Sequence, residues 1–238
     1  MKQIISETDF MKNMSTIYQK NEAAQNTVMA EGLTVDPVVS KKEGGHLVIF
    51  RFPFEFAVAL SEFSLAISRL VSAVYYRITD IHLTIISHDS APGMTHPNST
   101  TLKILEAAVT KALDECRVPA FPLIRYSGLF FNKTSVVAKG TPENDSFYLL
   151  ANAIVYHCRE LGLDAKFPWG VHSTINRFAE VTPPEELEKL SDYIKSSVVP
   201  LYSSPDHINI GWYTFSKNNF NINVTKSFDI KTTRRWGL

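Results

Sequence analysis

Cysteine is scarce in this chain: Cys116 and Cys158 are the only two in 238 residues. Each falls on the apolar stripe of a segment with helical spacing, which favours buried, reduced thiols over a disulfide framework and points to a cytoplasmic or other reducing location. A surplus of charge is missing too. The 24 basic and 24 acidic residues cancel, so no global field draws in a polyanion, and any nucleic-acid contact belongs in a cleft and at a short end or loop. Long apolar runs are also absent. Residues 52–60 and 198–202 are too short or too interrupted to span a bilayer, so no membrane partner is expected. The first nine residues lack a sustained apolar core before a small-residue cleavage site, which reads against a secretory signal. The basic cluster at Lys231, Arg234 and Arg235 reads as a solvated tail. With 45% hydrophobic and 20% charged residues, the rest is an ordinary globular composition with enough apolar side chain for a large core.

Residues 1–45 are polar. A short helix is expected around 9–25, and a loop holds Asp36-Pro37 and Glu43-Gly44-Gly45; together they read as an N-terminal extension or lid. Residues 46–52, rich in branched and aromatic side chains, predict a strand, followed by a helix with Phe56, Leu60, Phe63, Ile67 and Leu70 on one face. A second strand is expected over 74–86, and a polar stretch over 87–93. A further helix starts near Ser99 or Thr100, with Leu102, Leu105, Val109, Leu113 and Cys116 as its stripe. A hairpin over 123–139 turns at Asn132-Lys133, and a long helix carrying Phe147, Leu150, Ile154, Cys158 and Leu161 ends at Gly162. Thr182-Pro183-Pro184-Glu185 predicts a capping-box start to another helix. Residues 206–231 alternate as two strands joined near Lys217-Asn218-Asn219.

Two tripeptides stand out on this frame, His82-Leu83-Thr84 and His172-Ser173-Thr174. Each lies after a helix and is expected to end a strand. Side chains at i and i+2 of a strand share a face, so each His projects beside its own Thr. Brought together, the two would offer two imidazoles and two hydroxyls in one cleft. A neutral His takes a proton, an imidazolium gives one, and hydroxyls hydrogen-bond phosphoryl oxygens. One such tripeptide would mean little, but two in matched contexts, 90 residues apart, are a more specific signal.

At these residues the chain resembles the 2H phosphoesterase superfamily, which includes the LigT-like RNA 2′,3′-cyclic phosphodiesterases. Shared features besides the paired motifs are the hairpin before the long helix, the helix end at Gly162-Leu163, Phe167 ahead of the second motif, and Arg177 five positions after the second His. Gly170-Val171 departs from the proline common just before that His. The resemblance covers roughly residues 46–230 and implies an α+β bilobal fold: two pseudo-twofold-related lobes with antiparallel sheets lining a central cleft and helices outside. Residues 46–238 would form that domain.

The resemblance further implies a metal-independent phosphodiesterase without cofactor, acting on a 2′,3′-cyclic phosphate or a related 2′,5′ or RNA-end bond. Its partner would be an RNA end, an oligonucleotide or a small cyclic nucleotide, and a monomer is expected. His82 and His172 would be acid and base in an unassigned order, with Thr84 and Thr174 holding the non-bridging oxygens. Arg177 is placed between a structural ion pair and a substrate contact. On a regular strand it faces away from His172, Thr174 and Asn176, and only a bulge or the strand end returns it. Trp169 and Tyr213 are the candidates for stacking on a base. Two other readings stand beside this one: a non-catalytic RNA- or nucleotide-binding module on the same fold, and a metal-dependent hydrolase using His82, His88 and His96.

Overall fold

The computed structural model describes residues 4–116, 121–216 and 219–230. Two antiparallel sheets form its frame. One has four strands, β1 (Glu43–Arg51), β3 (Leu83–Pro92), β8 (His207–Phe215) and β9 (Phe220–Asp229), in the order β3-β1-β8-β9. The other has five, β2 (Ala73–Tyr75), β4 (Ile124–Phe131), β5 (Ser135–Pro142), β6 (His172–Phe178) and β7 (Tyr202–Ser203), in the order β2-β6-β5-β4-β7. Seven helices pack with them: α1 (Glu7–Ala23), α2 (Gln25–Glu31), α3 (Pro37–Ser40), α4 (Phe54–Leu70), α5 (Ser99–Glu115), α6 (Ser146–Glu160) and α7 (Glu188–Ser196). None of the described helices is long and apolar enough to cross a membrane.

The two lobes exchange helices. The α4 helix leaves β1 of the four-stranded sheet but packs on the other: its Phe56 ring lies 4.8 Å from that of Tyr126 on β4, and its Ser64 Oγ accepts from the Tyr76 N–H at 2.8 Å. Conversely, α6 leaves β5 of the five-stranded sheet and sets Phe147 against Phe50 of β1, ring centroids 5.8 Å apart. The apolar stripes at helical spacing therefore find their cores across the molecule, which stitches the lobes together.

The strand expected over 74–86 is two strands in different sheets. After β2 the chain makes a one-turn 3-10 helix (Ile78–Asp80) and crosses to begin β3. Buried Asp80 ends β2 there by accepting from the Arg77 backbone N–H at 3.2 Å and from its Nε at 2.7 Å. A turn closed by its own side chains outcompetes continued strand pairing. The expected polar stretch over 87–93 is instead the outer half of β3, paired with β1 from Leu47↔Ser87 to Glu43↔Pro92. Strand β1 begins at Glu43, so Gly44 and Gly45 are strand residues. The capping box is not formed: Thr182 is buried and bridges to Leu33, Pro184–Glu186 is a 3-10 turn, and α7 starts at Glu188. The hairpin turn residues Lys217 and Asn218 and the basic cluster after Ile230 lie outside the described residues.

From the stretch 1–45, read from sequence as an extension or lid, Phe10, Met14, Tyr18, Val28, Leu33 and Val39 join the core shared with both sheets. Helix α1 is capped by Ser6, whose Oγ accepts from the Asp9 N–H at 3.0 Å, with acidic Glu7 and Asp9 in the first turn. The spacing of Phe10, Met14 and Tyr18 turns one stripe inward. Cys116 and Cys158 are both buried and unpaired.

Candidate active site

Each motif sits at the start of a strand, not at its end, near the middle of the molecule: His82 lies just ahead of β3, and His172 is the first residue of β6. Both strands then make the same irregularity. On β3 the pairing with β1 jumps from Ile49↔Thr84 to Val48↔Ile86, leaving Ile85 unpaired. On β6 the pairing with β5 jumps from Val137↔Thr174 to Val136↔Asn176, leaving Ile175 unpaired. An extra residue inverts the alternation of faces beyond it. Arg177 is thereby returned to the face of His172 and Thr174. Asn176 turns inward, where its Nδ2 donates to the carbonyls of Ser64 and Val74, each at 3.1 Å. Ser87 occupies on β3 the position that Arg177 has on β6.

These strands line one cavity of about 490 Å³ that holds all seven residues the phosphodiesterase reading names: His82, Thr84, His172, Thr174, Arg177, Trp169 and Tyr213. Ser87, Tyr76, Lys166, Phe215 and Phe220 line it as well. The two motifs also touch directly, because Ser173 donates its Oγ–H to the His82 carbonyl at 2.7 Å.

His82 Nδ1 lies 2.6 Å from the Asp80 carbonyl oxygen. A carbonyl only accepts, so Nδ1 carries the proton and Nε2 of the neutral ring holds the lone pair. The loop behind it is pinned by Arg51, whose Nη1 donates to the carbonyls of Thr79 and, at 3.2 Å, Ile81. Burial pushes the His82 pKa down to about 4; the Asp80 carbonyl opposes this, and the Arg51 and Arg177 charges add to it. Phe220 stacks on the His82 ring at 5.8 Å.

His172 is held from the other side. Trp169 lies nearly flat on it, ring centroids 3.9 Å apart and planes 24° apart. Burial pushes the His172 pKa down to about 3; the Gly170 backbone opposes this, and Arg177 and then His82 reinforce it. Its buried Nδ1 has no well-formed hydrogen bond. Both imidazoles are therefore neutral around pH 7 in the free protein.

Helix α1 supports the loop that carries Trp169. Tyr18 donates to the Val171 and Gly140 carbonyls at 2.6 and 3.0 Å, and its ring meets the edge of Trp169 at 5.7 Å. Gly170 lies against Met14, where a Cβ would come within 2.9 Å of Cγ. Tyr213 belongs to an aromatic cluster with Phe215 and Phe220, and its hydroxyl pairs with Ser90 Oγ at 2.8 Å.

Arg177 Nη1 donates to Asp36 Oδ2 at 2.6 Å, and Nε donates to the Tyr76 hydroxyl at 3.2 Å. Both the ion pair and the cavity wall are thus its place. Sequence reasoning did not single out Asp36, Tyr76, Ser87, Ser173 or Phe220. For Ser87 a signal existed in its position five residues after a motif His, matching Arg177. His88 and His96 stay outside the cavity wall, with His88 on Asp89 at 2.8 Å. Among the described residues, no group of three or more His, Cys, Asp or Glu is placed to hold a metal.

No protein-family model and no curated protein matches the chain. Solved structures do resemble it. TT0787 of Thermus thermophilus matches with a TM-score of 0.54 and 17% identity, over 79% of this chain and 98% of that one. E. coli LigT complexed with 3′-AMP matches with a TM-score of 0.52 and 12% identity, over 80% of this chain and 100% of the other. A protein described as a phosphoesterase gives a TM-score of 0.52 at 13% identity, over 79% and 98%. The fold is the bilobal fold of LigT.

Proposed function

We propose that the chain is a two-histidine phosphodiesterase that works without a metal ion, acting on a 2′,3′-cyclic phosphate or a related 2′,5′ or RNA-end phosphodiester. The observation that carries this reading is the convergence of both His-x-Thr units, with matching bulges behind them, on one cavity wall. The LigT-like fold supports it.

In the reaction, one neutral imidazole takes a proton from the attacking water or ribose hydroxyl. The other, as imidazolium, gives its proton to the departing ribose oxygen, so the two rings exchange protonation states over one turnover. Thr84 and Thr174 donate to the non-bridging oxygens as negative charge builds at phosphorus. Because burial keeps both rings neutral in the free protein, the proton for the acid is taken up with the substrate, whose negative charge favours the imidazolium. A cavity of this size takes a mononucleotide-sized ligand and matches a chain end better than a duplex.

The test is a panel of 2′,3′-cyclic, 3′,5′-cyclic, linear 3′,5′ and 2′,5′ substrates with wild type, His82→Ala and His172→Ala in excess EDTA. Each substitution is expected to lower kcat roughly 10²- to 10⁴-fold. Loss of all wild-type cleavage in EDTA, or full activity in either variant, overturns the reading. Binding of the same compounds without cleavage would make the protein a nucleotide-binding module.

A further inference from the structure

We propose that Asp36 sets the charge selectivity of the cavity: by pairing with Arg177 it leaves the site matched to a single negative charge, so a phosphodiester monoanion is held and a phosphomonoester dianion is released. This rests on the phosphodiester reading of the same site.

The argument starts with how firmly Asp36 is placed. It is 2% exposed. Its backbone N–H donates to the Phe178 carbonyl at 2.9 Å, and its Oδ1 accepts from the Val38 N–H at 2.8 Å as the cap of α3. Those two bonds fix the carboxylate and leave Oδ2 for Arg177 at 2.6 Å. A cap alone needs only one carboxylate oxygen. The second is spent on the guanidinium that the β6 bulge has turned into the cavity.

Arg177 is then fully oriented. Nη1 goes to Asp36, Nε goes to Tyr76, the Phe215 ring lies 5.7 Å from Cζ, and among the described residues Nη2 has no hydrogen-bond partner. The guanidinium thus offers donors to an anion from a fixed plane while a buried carboxylate behind it cancels most of its charge. With ligand bound, the cavity's remaining positive charges are the one imidazolium taken up with it and Lys166, an exposed side chain. The hydroxyls of Thr84, Thr174 and Ser87 are neutral donors. One anionic charge is thereby balanced, and a second is not. In a partly desolvated site that uncompensated charge is costly, since like charges a few ångströms apart interact far more strongly than in water.

Hydrolysis of a phosphodiester turns a monoanion into a monoester, whose second ionisation lies near pH 6. The charge step therefore coincides with the chemical step. Without Asp36 the same cavity would grip its product more tightly than its substrate.

The experiment uses 2′-deoxyadenosine 3′-phosphate and its methyl ester, a monoester and a diester with the same nucleoside, in calorimetric titrations of the full chain. In wild type at pH 7.5 the diester is expected to bind roughly tenfold more tightly than the monoester. At pH 5.0 the monoester is itself a monoanion, and the gap is expected to close. In Asp36→Asn the gap at pH 7.5 is expected to close or reverse. Equal affinity for the two ligands in wild type at pH 7.5, or a gap unchanged by Asp36→Asn, overturns the proposal, as does failure of both ligands to bind. If Asp36→Asn does not fold, the comparison of the two pH values in wild type decides alone. Cleavage of diesters with no monoester discrimination would remove this inference and keep the proposed activity; discrimination without cleavage would do the reverse.

Discussion

The Ser173 hydroxyl donates to the His82 carbonyl at 2.7 Å, so the middle residue of one His-x-Thr unit holds the backbone of the other. Ser173 is fully buried. It points away from its own His and Thr and ties β6 to the residue just ahead of β3.

Removing that hydroxyl leaves the His82 carbonyl without this donor. Ser173→Ala is expected to destabilise the fold by about 1–3 kcal/mol, in line with a buried group losing its partner. It should also lower kcat more than it raises KM, because the geometry between the histidines loosens while the cavity wall stays. Denaturant unfolding and steady-state kinetics measure both. A stability loss with unchanged kcat would confine Ser173 to a structural role.

The stack of Trp169 on His172 yields a second prediction. An aromatic face attracts a cation by electrostatics, so Trp169 favours the imidazolium that burial disfavours. Trp169→Leu is expected to lower kcat about tenfold and to lower the His172 pKa further, read by NMR titration of the ring; Trp169→Phe should recover part of both. Tyr18→Phe, which removes the two hydrogen bonds from α1 to this loop, should show a weaker form of the same phenotype. Trp169→Leu with kcat and titration unchanged would contradict the assignment.

The lowered histidine pKa values set the pH dependence. With both rings neutral in the free protein, the singly protonated form grows as pH falls, so kcat/KM should be bell-shaped with its maximum below about 6.5, the limbs belonging to the coupled pair. Bound phosphodiester favours the imidazolium, so the kcat profile should lie at higher pH. A kcat/KM that rises steadily through the histidine range would contradict this. Stability has the matching sign. His82 and His172 titrate near 4 and 3 when folded, whereas an unfolded histidine titrates near about 6.5. Below that value the unfolded chain binds more protons, so the contribution is complete above it and is lost as pH falls toward the folded values. Each histidine is expected to account for a loss of about 2 kcal/mol between roughly pH 6.5 and 4.5, about 4 kcal/mol for the pair, and His82→Gln or His172→Gln should remove about half of it in denaturant midpoints.

Much of this was legible locally. The apolar stripes of α4, α5 and α6 and the hairpin of β4 and β5 follow from periodicity, because each element satisfies its own backbone and one face needs burial. The i, i+2 parity of each His with its Thr is likewise intrinsic to an extended chain. The split between β2 and β3 was not legible: the strand-like residues 81–86 continue the strand pattern of 73–76, and only the turn closed by Arg77 and Asp80 separates them.

The sequence by itself determined that a His-x-Thr unit occurs twice, each in a matched context after a helix. Tertiary structure alone decided that helices α4 and α6 cross to the opposite lobe and that Ile85 and Ile175 are the bulged positions. It also decided that Arg177 therefore faces the cavity with Asp36 behind it. The reason is physical: alternation along a strand is a local property of the backbone, whereas its register, and so the face shown after a bulge, is set by pairing with strands distant in sequence.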